Sequence, residues 1–282
     1  MRIDAHQHYW KIQRGDYGWI TPELPVLYRD FLPVDFEPLL QKHQLGGSIL
    51  VQAAPTLEET EYILSLADEN PSILGVVGWI DLFDPDHRTH YNKFRTHPKF
   101  RGFRIMIQDM EDPSKMLIPS FVDALRGYAA EQVPIDLLLT SPQMEITLQL
   151  LEKVPNLYGV IDHIAKPQIA KGEFESWASN LSQFAKYPGL FCKLSGMVTE
   201  ANPSGWKPED FVPYVRHVLK AFGPERVMFG SDWPVCLLAA DYDQVVDILE
   251  QALPPAWSQA DRDLLFGENA KRFYLENGGA IS

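Results

Sequence analysis

The chain has 282 residues, of which 45% are hydrophobic, and a formal net charge of −13. This composition argues against a disordered, collagen-like or coiled-coil protein, and the acidic balance disfavours nucleic acid and anionic membranes as partners. The chain shows no signal-peptide core after Arg2 and no run of 18 apolar residues, so we expect a cytoplasmic protein without a membrane partner.

Eight short segments rich in Val, Ile, Leu and Phe recur along the chain. Apolar runs of this length, nearly continuous rather than alternating, are typical of parallel strands buried on both faces. The predicted strands cover residues 2–6, 47–53, 74–81, 101–107, 134–140, 158–163, 190–196 and 226–232.

Amphipathic segments between these strands predict helices. Asp35 is the expected N-cap of the first helix, Thr56 begins the second, and Ser141-Pro142 begins another. The segment 207–223 ends on a glycine, although Pro213 leaves its start uncertain.

Eight alternating strands and helices predict an α/β fold, a (β/α)8 TIM barrel in one domain over residues 1–282. The alternative is an open doubly wound sheet, which should carry a glycine-rich loop after its first strand. Here the first strand is followed by His-Gln-His-Tyr-Trp at residues 6–10. We also expect a long first loop at 9–33, either a functional lid or an aromatic plug, and an extra C-terminal helix at 258–274 packed on the outside.

Polar residues concentrate at the predicted carboxyl ends of the strands, where barrel enzymes place their reactive groups. His6 and His8 lie two apart on one strand, so both side chains point to the same side and can share a divalent metal. Taken singly, each such residue has a structural explanation, because an isolated Asp is often a helix cap. The set comprises Asp4, His6, His8, Gln52, Asp81, Arg104, Thr140, Asp162, His163, Lys166, Ser195, Ser231 and Asp232.

The combined pattern resembles the amidohydrolase superfamily, in particular the branch of TIM-barrel hydrolases that includes L-fuconolactone and L-rhamnonolactone hydrolases. The resemblance covers essentially the whole chain. It rests on DAHQHYW at 4–10, FRGFRIMIQ at 100–108, DHIAKP at 162–167, KLSGM at 193–197 and GSDWPV at 230–235.

This resemblance implies hydrolysis of a sugar-acid lactone, with Asp232 as the general base for an attacking water and His163 as a second catalytic residue. It implies a metal site of His6, His8 and Asp232, with zinc as the expected ion and its requirement left open. The chain departs from many amidohydrolases at strands four and five, where it offers Arg104 and Thr140 in place of a His or Lys ligand.

The expected substrate-binding residues surround this centre, although Arg104 could instead pair with an internal aspartate and Lys166 could face solvent. They are Trp10, Gln52, Arg104, Lys166, Ser195 and Trp233.

Two other enzyme functions and one binding function stay open at this point. The enzyme alternatives are a hydrolase for a 2-pyrone-dicarboxylate type of lactone and a metal-dependent decarboxylase. A dicarboxylate site should present several arginines, whereas only Arg104 stands out here. The remaining alternative is a barrel that binds a sugar acid without turning it over. The sequence leaves a homo-oligomer open.

Overall fold

A computed structural model describes residues 1–276 of the chain. Eight parallel strands are hydrogen-bonded in sequence order, and each is paired with the next. The strands are β1 (Arg2–Gln7), β2 (Leu45–Val51), β3 (Ile73–Trp79), β4 (Phe100–Met106), β5 (Ile135–Leu138), β6 (Gly159–Ile161), β7 (Leu190–Leu194) and β8 (Val227–Phe229).

Helices follow the strands and cover the outside of the sheet, as the apolar stripes predict. They are α1 (Pro33–Lys42), α2 (Leu57–Glu69), α3 (His87–Phe94), α4 (Pro119–Ala130), α5 (Met144–Lys153), α6 (Glu175–Phe184), α7 (Pro208–Phe222), α8 (Tyr242–Ala252) and α9 (Gln259–Asp263).

The sheet closes where the carboxyl end of β1 meets the segment after β8. The Asp232 amide donates to the carbonyl of His6 at 2.8 Å, and the His8 amide donates to the carbonyl of Trp233 at 2.7 Å. The expected TIM barrel is therefore confirmed. Its closing seam carries three of the residues that the sequence placed at the centre of the site.

The helix starts differ in detail from the sequence prediction. The N-cap of α1 is Leu32 rather than Asp35, because Pro33 takes the first helical position and Asp35 accepts the Leu32 amide from inside the first turn. Ser141 and Pro142 form a 3-10 turn that precedes α5. Pro213 does not divide α7, which runs continuously from Pro208 to its end before Gly223.

The C-terminal segment was expected to pack on the outside, and its end does not. After α9 the chain continues through two π-helical segments, Leu264–Glu268 and Lys271–Glu276. Phe273 and Tyr274 are fully buried among interior residues of the barrel, and they pack with Ile3 of β1. The segment thus fills the amino-terminal end of the barrel, opposite the predicted site.

Among residues 1–276, no helix is long and apolar enough to cross a membrane.

Candidate active site

His6 in β1 and His8 directly after it face the barrel interior, at an irregular part of the strand. Its pairing register with β2 shifts between Asp4 and Gln7. The Asp4 carboxylate points outward, where it accepts the Tyr242 hydroxyl of α8 and the amides of His6 and Ser231. A bulge of this kind re-aims the side chains that follow it.

Three ligand-type side chains meet at the closing seam. The Nε2 atoms of His6 and His8 are 3.2 Å apart, and Asp232 Oδ1 lies 3.3 Å from His8 Nε2 and 3.8 Å from His6 Nε2. All three residues are buried. His8 donates its Nδ1 proton to the Val51 carbonyl at 2.8 Å, so the lone pair of its Nε2 faces the Asp232 carboxylate.

This geometry fits a divalent metal. Two imidazole nitrogens and a carboxylate oxygen, within 4.8 Å of one another, form a donor set that suits zinc. An ionised carboxylate oxygen and an imidazole lone pair face each other at 3.3 Å, and a shared cation would satisfy both acceptors. His6, Asp162 and His163 form a second, overlapping cluster of ligand-type groups.

His163 reaches the same point through an unusual backbone. Residues 163–166, none of them glycine, all have positive φ angles between 46° and 60°. The Trp177 indole braces this left-handed turn by donating to the Ile164 carbonyl at 2.7 Å. The turn brings His163 Nε2 within 3.8 Å of Asp232 Oδ1, while its Nδ1 lies 2.9 Å from Ser195 Oγ.

The protonation states of this centre follow from its burial and charges. Burial lowers the pKa of His163 well below its usual value, so the imidazole is neutral at pH 7. Burial alone would raise the pKa of Asp232, but His163, His8 and Lys166 more than offset this effect and hold the pKa below its ordinary value. The site therefore pairs the ionised Asp232 carboxylate with the neutral imidazole of His163.

A buried ionic cluster, which the sequence analysis did not predict, lies beneath the histidines. Lys193 of β7 forms an ion pair with Asp136 of β5 and lies 3.1 Å from Asp162 Oδ1. All three side chains are fully buried. Burial raises the pKa of Asp136 to about 6, despite the opposing charge of Lys193. The sequence did contain a signal for this cluster, because two apolar strands each include one charged residue. These are Asp136 in PIDLLLT and Lys193 in LFCKL.

A cavity of about 290 Å³ opens above this centre. Of the six predicted substrate-binding residues, Arg104 and Lys166 line it. The alternative pairing of Arg104 is also present, because its guanidinium lies 3.5 Å from Asp162. The cavity is lined by His8, Trp19, Ala53, Arg104, Met106, Gln108, Asp109, Leu138, His163, Lys166, Asp232 and Val235.

The other four predicted substrate-binding residues are buried and do not line this cavity. Gln52 accepts a hydrogen bond from Arg104 through its backbone carbonyl. Ser195 contacts His163, and Trp233 packs against Phe36. Trp10 donates its indole N–H to the carbonyls of Leu27 and Arg29 within the long loop. These four residues therefore contact neighbouring groups of the protein rather than the space where a substrate would bind.

The loop between β1 and α1, residues 8–32, contributes a different tryptophan to the cavity. Trp19 is 41% exposed and donates its indole N–H to the Ala53 carbonyl at 2.8 Å. The loop is also anchored by Tyr17, whose hydroxyl donates to the buried carboxylate of Glu59 at 2.6 Å. It is thus both an aromatic cover over the barrel and part of the cavity wall.

Comparison with known proteins places this architecture in a family. The profile of the amidohydrolase family matches residues 3–275. The chain belongs to the amidohydrolase family. It is 39% identical to an L-fucono-1,5-lactonase of Burkholderia ambifaria over 97% of this chain and 95% of that protein.

Two further relatives are similar to this amidohydrolase over different shares of the chain. The crystal structure of an amidohydrolase from Burkholderia multivorans with bound zinc superposes with a TM-score of 0.90, at 38% identity, and the match covers 97% of this chain and 99% of that one. An L-rhamnono-gamma-lactonase of Scheffersomyces stipitis is 29% identical over 50% of this chain and 47% of its own length. A divalent metal, with zinc as the expected ion, agrees with both the donor set and the zinc-bound relative.

Proposed function

We propose that this amidohydrolase opens a sugar-acid lactone of the 6-deoxy type, such as L-fuconolactone or L-rhamnonolactone, in the cytoplasm. The observation that carries the chemistry is the ionised Asp232 carboxylate beside three imidazoles at the cavity floor. The substrate class is supported by the similarity to the L-fucono-1,5-lactonase over nearly the whole chain. The location is supported by the two buried free thiols, Cys192 and Cys236.

Asp232 is the proposed general base. Its carboxylate takes a proton from a water molecule, whose oxygen then attacks the lactone carbonyl carbon. Arg104 and Lys166 line the cavity and present positive charge toward the oxygen that becomes negative. His6, His8 and Asp232 would hold a zinc ion, which when bound supplies Lewis acidity and lowers the pKa of bound water.

The ring oxygen needs a proton when the carbon–oxygen bond breaks. In this proposal the Ser195 hydroxyl donates to His163 Nδ1, 2.9 Å away, so that the proton of the neutral imidazole lies on Nε2, toward Asp232. In the proposed step protonated Asp232 gives its proton to the leaving oxygen, while the Nε2–H of His163 hydrogen-bonds that oxygen as the bond breaks, so that the imidazole stays neutral. The net reaction consumes one water and yields a hydroxy acid, which releases a proton at neutral pH.

The cavity lining favours a neutral, hydroxyl-rich substrate over the enzyme alternatives. Among the described residues that line it, Arg104 is the single arginine, whereas a dicarboxylate calls for several. The strand β5 presents Leu138 to the cavity rather than a metal ligand. Gln108 and Asp109 add the polar groups that can hydrogen-bond hydroxyls.

The deciding experiment is a panel of aldonolactones assayed by proton release, before and after chelator treatment, with Asp232→Asn as the matched variant. We expect one 6-deoxy-sugar lactone to turn over well above its spontaneous rate. No turnover on any lactone would reject this function in favour of a decarboxylase, a dicarboxylate-lactone hydrolase or a non-catalytic sugar-acid binder.

A further inference from the structure

Lys193 is an ammonium group buried without access to water, directly beneath the site. Its Nζ atom donates to Asp136 Oδ2 and, at 3.1 Å, to His6 Nδ1, and it lies 3.1 Å from Asp162 Oδ1. An ammonium has three protons to donate and cannot accept a hydrogen bond. In its contact with Lys193, His6 Nδ1 must therefore act as the acceptor.

This contact determines which nitrogen of His6 carries the proton. With Nδ1 accepting from Lys193, the proton of the neutral imidazole lies on Nε2. The Nε2–H then donates to His8 Nε2 at 3.2 Å, which is an acceptor because His8 holds its own proton on Nδ1 against Val51. Lys193, His6 and His8 thus each donate to an acceptor, and none of these protons is directed at the Asp232 carboxylate, 3.3 Å from His8 Nε2.

Metal binding requires the opposite arrangement at His6. A metal takes the lone pair of Nε2, so the proton has to move to Nδ1. There the available acceptor is Asp162 Oδ1, which lies 3.3 Å away and whose side-chain oxygens accept no well-aligned hydrogen bond in this structure. The move also ends the hydrogen bond from Lys193 and brings the metal charge close to the ammonium.

We propose that Lys193 is a positioning residue that holds His6 in its Nε2–H tautomer and thereby weakens metal binding at the His6, His8 and Asp232 site. The buried lysine favours the tautomer of His6 whose Nε2 lone pair is not free for a metal. Metal affinity is then set by the competition between Lys193 and Asp162 for His6 Nδ1. This inference concerns metal affinity and does not depend on which substrate the site uses.

The test compares zinc and cobalt affinity of the full-length protein before and after Lys193→Met. Methionine removes both the charge and the donor, so we expect binding about tenfold tighter or more, in line with the effect of groups that orient metal ligands. The variant leaves Asp136 without its ion-pair partner, so Lys193→Met combined with Asp136→Asn provides a second form in which the excess negative charge is reduced.

Two further measurements exclude a merely structural role. Long-range proton–nitrogen NMR of the metal-free wild type, assigned with His6→Gln, should show His6 protonated on Nε2, and the double variant should shift it toward Nδ1. Lys99→Met removes a half-buried lysine that donates to the Ala67 and Asn70 carbonyls, and it should leave metal affinity unchanged. An Nδ1–H tautomer in the wild type, or unchanged affinity in both Lys193 variants, would overturn the proposal.

Discussion

Gly196 lies against the imidazole of His163 so closely that a Cβ atom at position 196 would be 2.5 Å from His163 Nδ1. Its φ angle of +60° also belongs to the left-handed region that favours glycine. The residue after Ser195 therefore leaves room for the ring that Ser195 orients.

We predict that Gly196→Ala lowers kcat/KM by about 100-fold, because the methyl group displaces His163 from Ser195 and Asp232. Gly172→Ala is the matched control, since Gly172 has a φ of +67° and a Cβ atom added there would meet no neighbouring side chain or backbone within 4 Å. Both variants should lose about 1 kcal/mol of stability from backbone strain. Equal activity in the two variants would show that the close contact does not matter.

Replacing the carboxylate tests the role of Asp232. We predict that Asp232→Asn reduces lactone hydrolysis by roughly 10²- to 10⁴-fold, because the amide cannot take a proton from water. The measurement is kcat from proton release, with the melting temperature as a check on folding. Turnover within tenfold of the wild type would assign the base to another group.

Asp81→Asn is the control for this loss of charge. Asp81 follows β3 at the same face of the barrel, but its carboxylate accepts the Phe83 amide and lines a neighbouring cavity. We expect this variant to retain kcat. A comparable loss at both positions would point to a general effect of the charge at this face.

The two tryptophans of the β1–α1 loop should differ in their roles. Trp19 lines the cavity and is partly exposed, so Trp19→Ala should raise KM with a small loss of stability. Trp10 is fully buried and hydrogen-bonded to the loop backbone, so Trp10→Ala should destabilise the fold by about 3–5 kcal/mol. Steady-state kinetics and urea unfolding separate the two effects. A raised KM in Trp10→Ala, together with a large loss of stability in Trp19→Ala, would instead identify Trp10 as the substrate-contacting residue.

Strand patterning in the sequence predicted most of the fold and the centre of the site. Continuous apolar runs indicated all eight strands, since parallel strands are buried on both faces. The convergence of His6, His8, His163 and Asp232 follows from one rule, that the carboxyl ends of barrel strands meet at one face.

Features that depend on backbone irregularity or on long-range packing were not predictable in this way. No local pattern in DHIAKP indicates four consecutive left-handed residues, which hold His163 and Lys166. Tyr274 donates its hydroxyl to Asp136 at 2.6 Å, a contact between residues 138 positions apart. Which aromatic residue of the first loop faces the cavity is decided by how the loop folds on itself.

Glu59 should make stability depend on pH. Its carboxyl is fully buried, and burial raises its pKa from 4.5 to about 7 despite the hydrogen bonds from Tyr17 and the Ala53 amide. Below pH 4.5 the folded and unfolded forms both hold the proton. As the pH rises toward 7 the unfolded chain releases its proton first, so the stability contribution of Glu59 is lost through that range.

We therefore predict that the stability of the wild type relative to Glu59→Gln falls between pH 4.5 and 7, by on the order of 3 kcal/mol, and is level outside that window. The comparison with a variant is needed because other buried carboxyls, such as Asp4, titrate in the same range. Glu58→Gln, on the exposed side of the same helical turn, controls for the change in net charge. Urea unfolding at each pH gives the free energies of unfolding. Parallel pH profiles for the wild type and Glu59→Gln would contradict this prediction. They would mean that the Glu59 carboxylate is already ionised in the folded protein, because Arg14, 3.8 Å away, stabilises the charge more than burial opposes it.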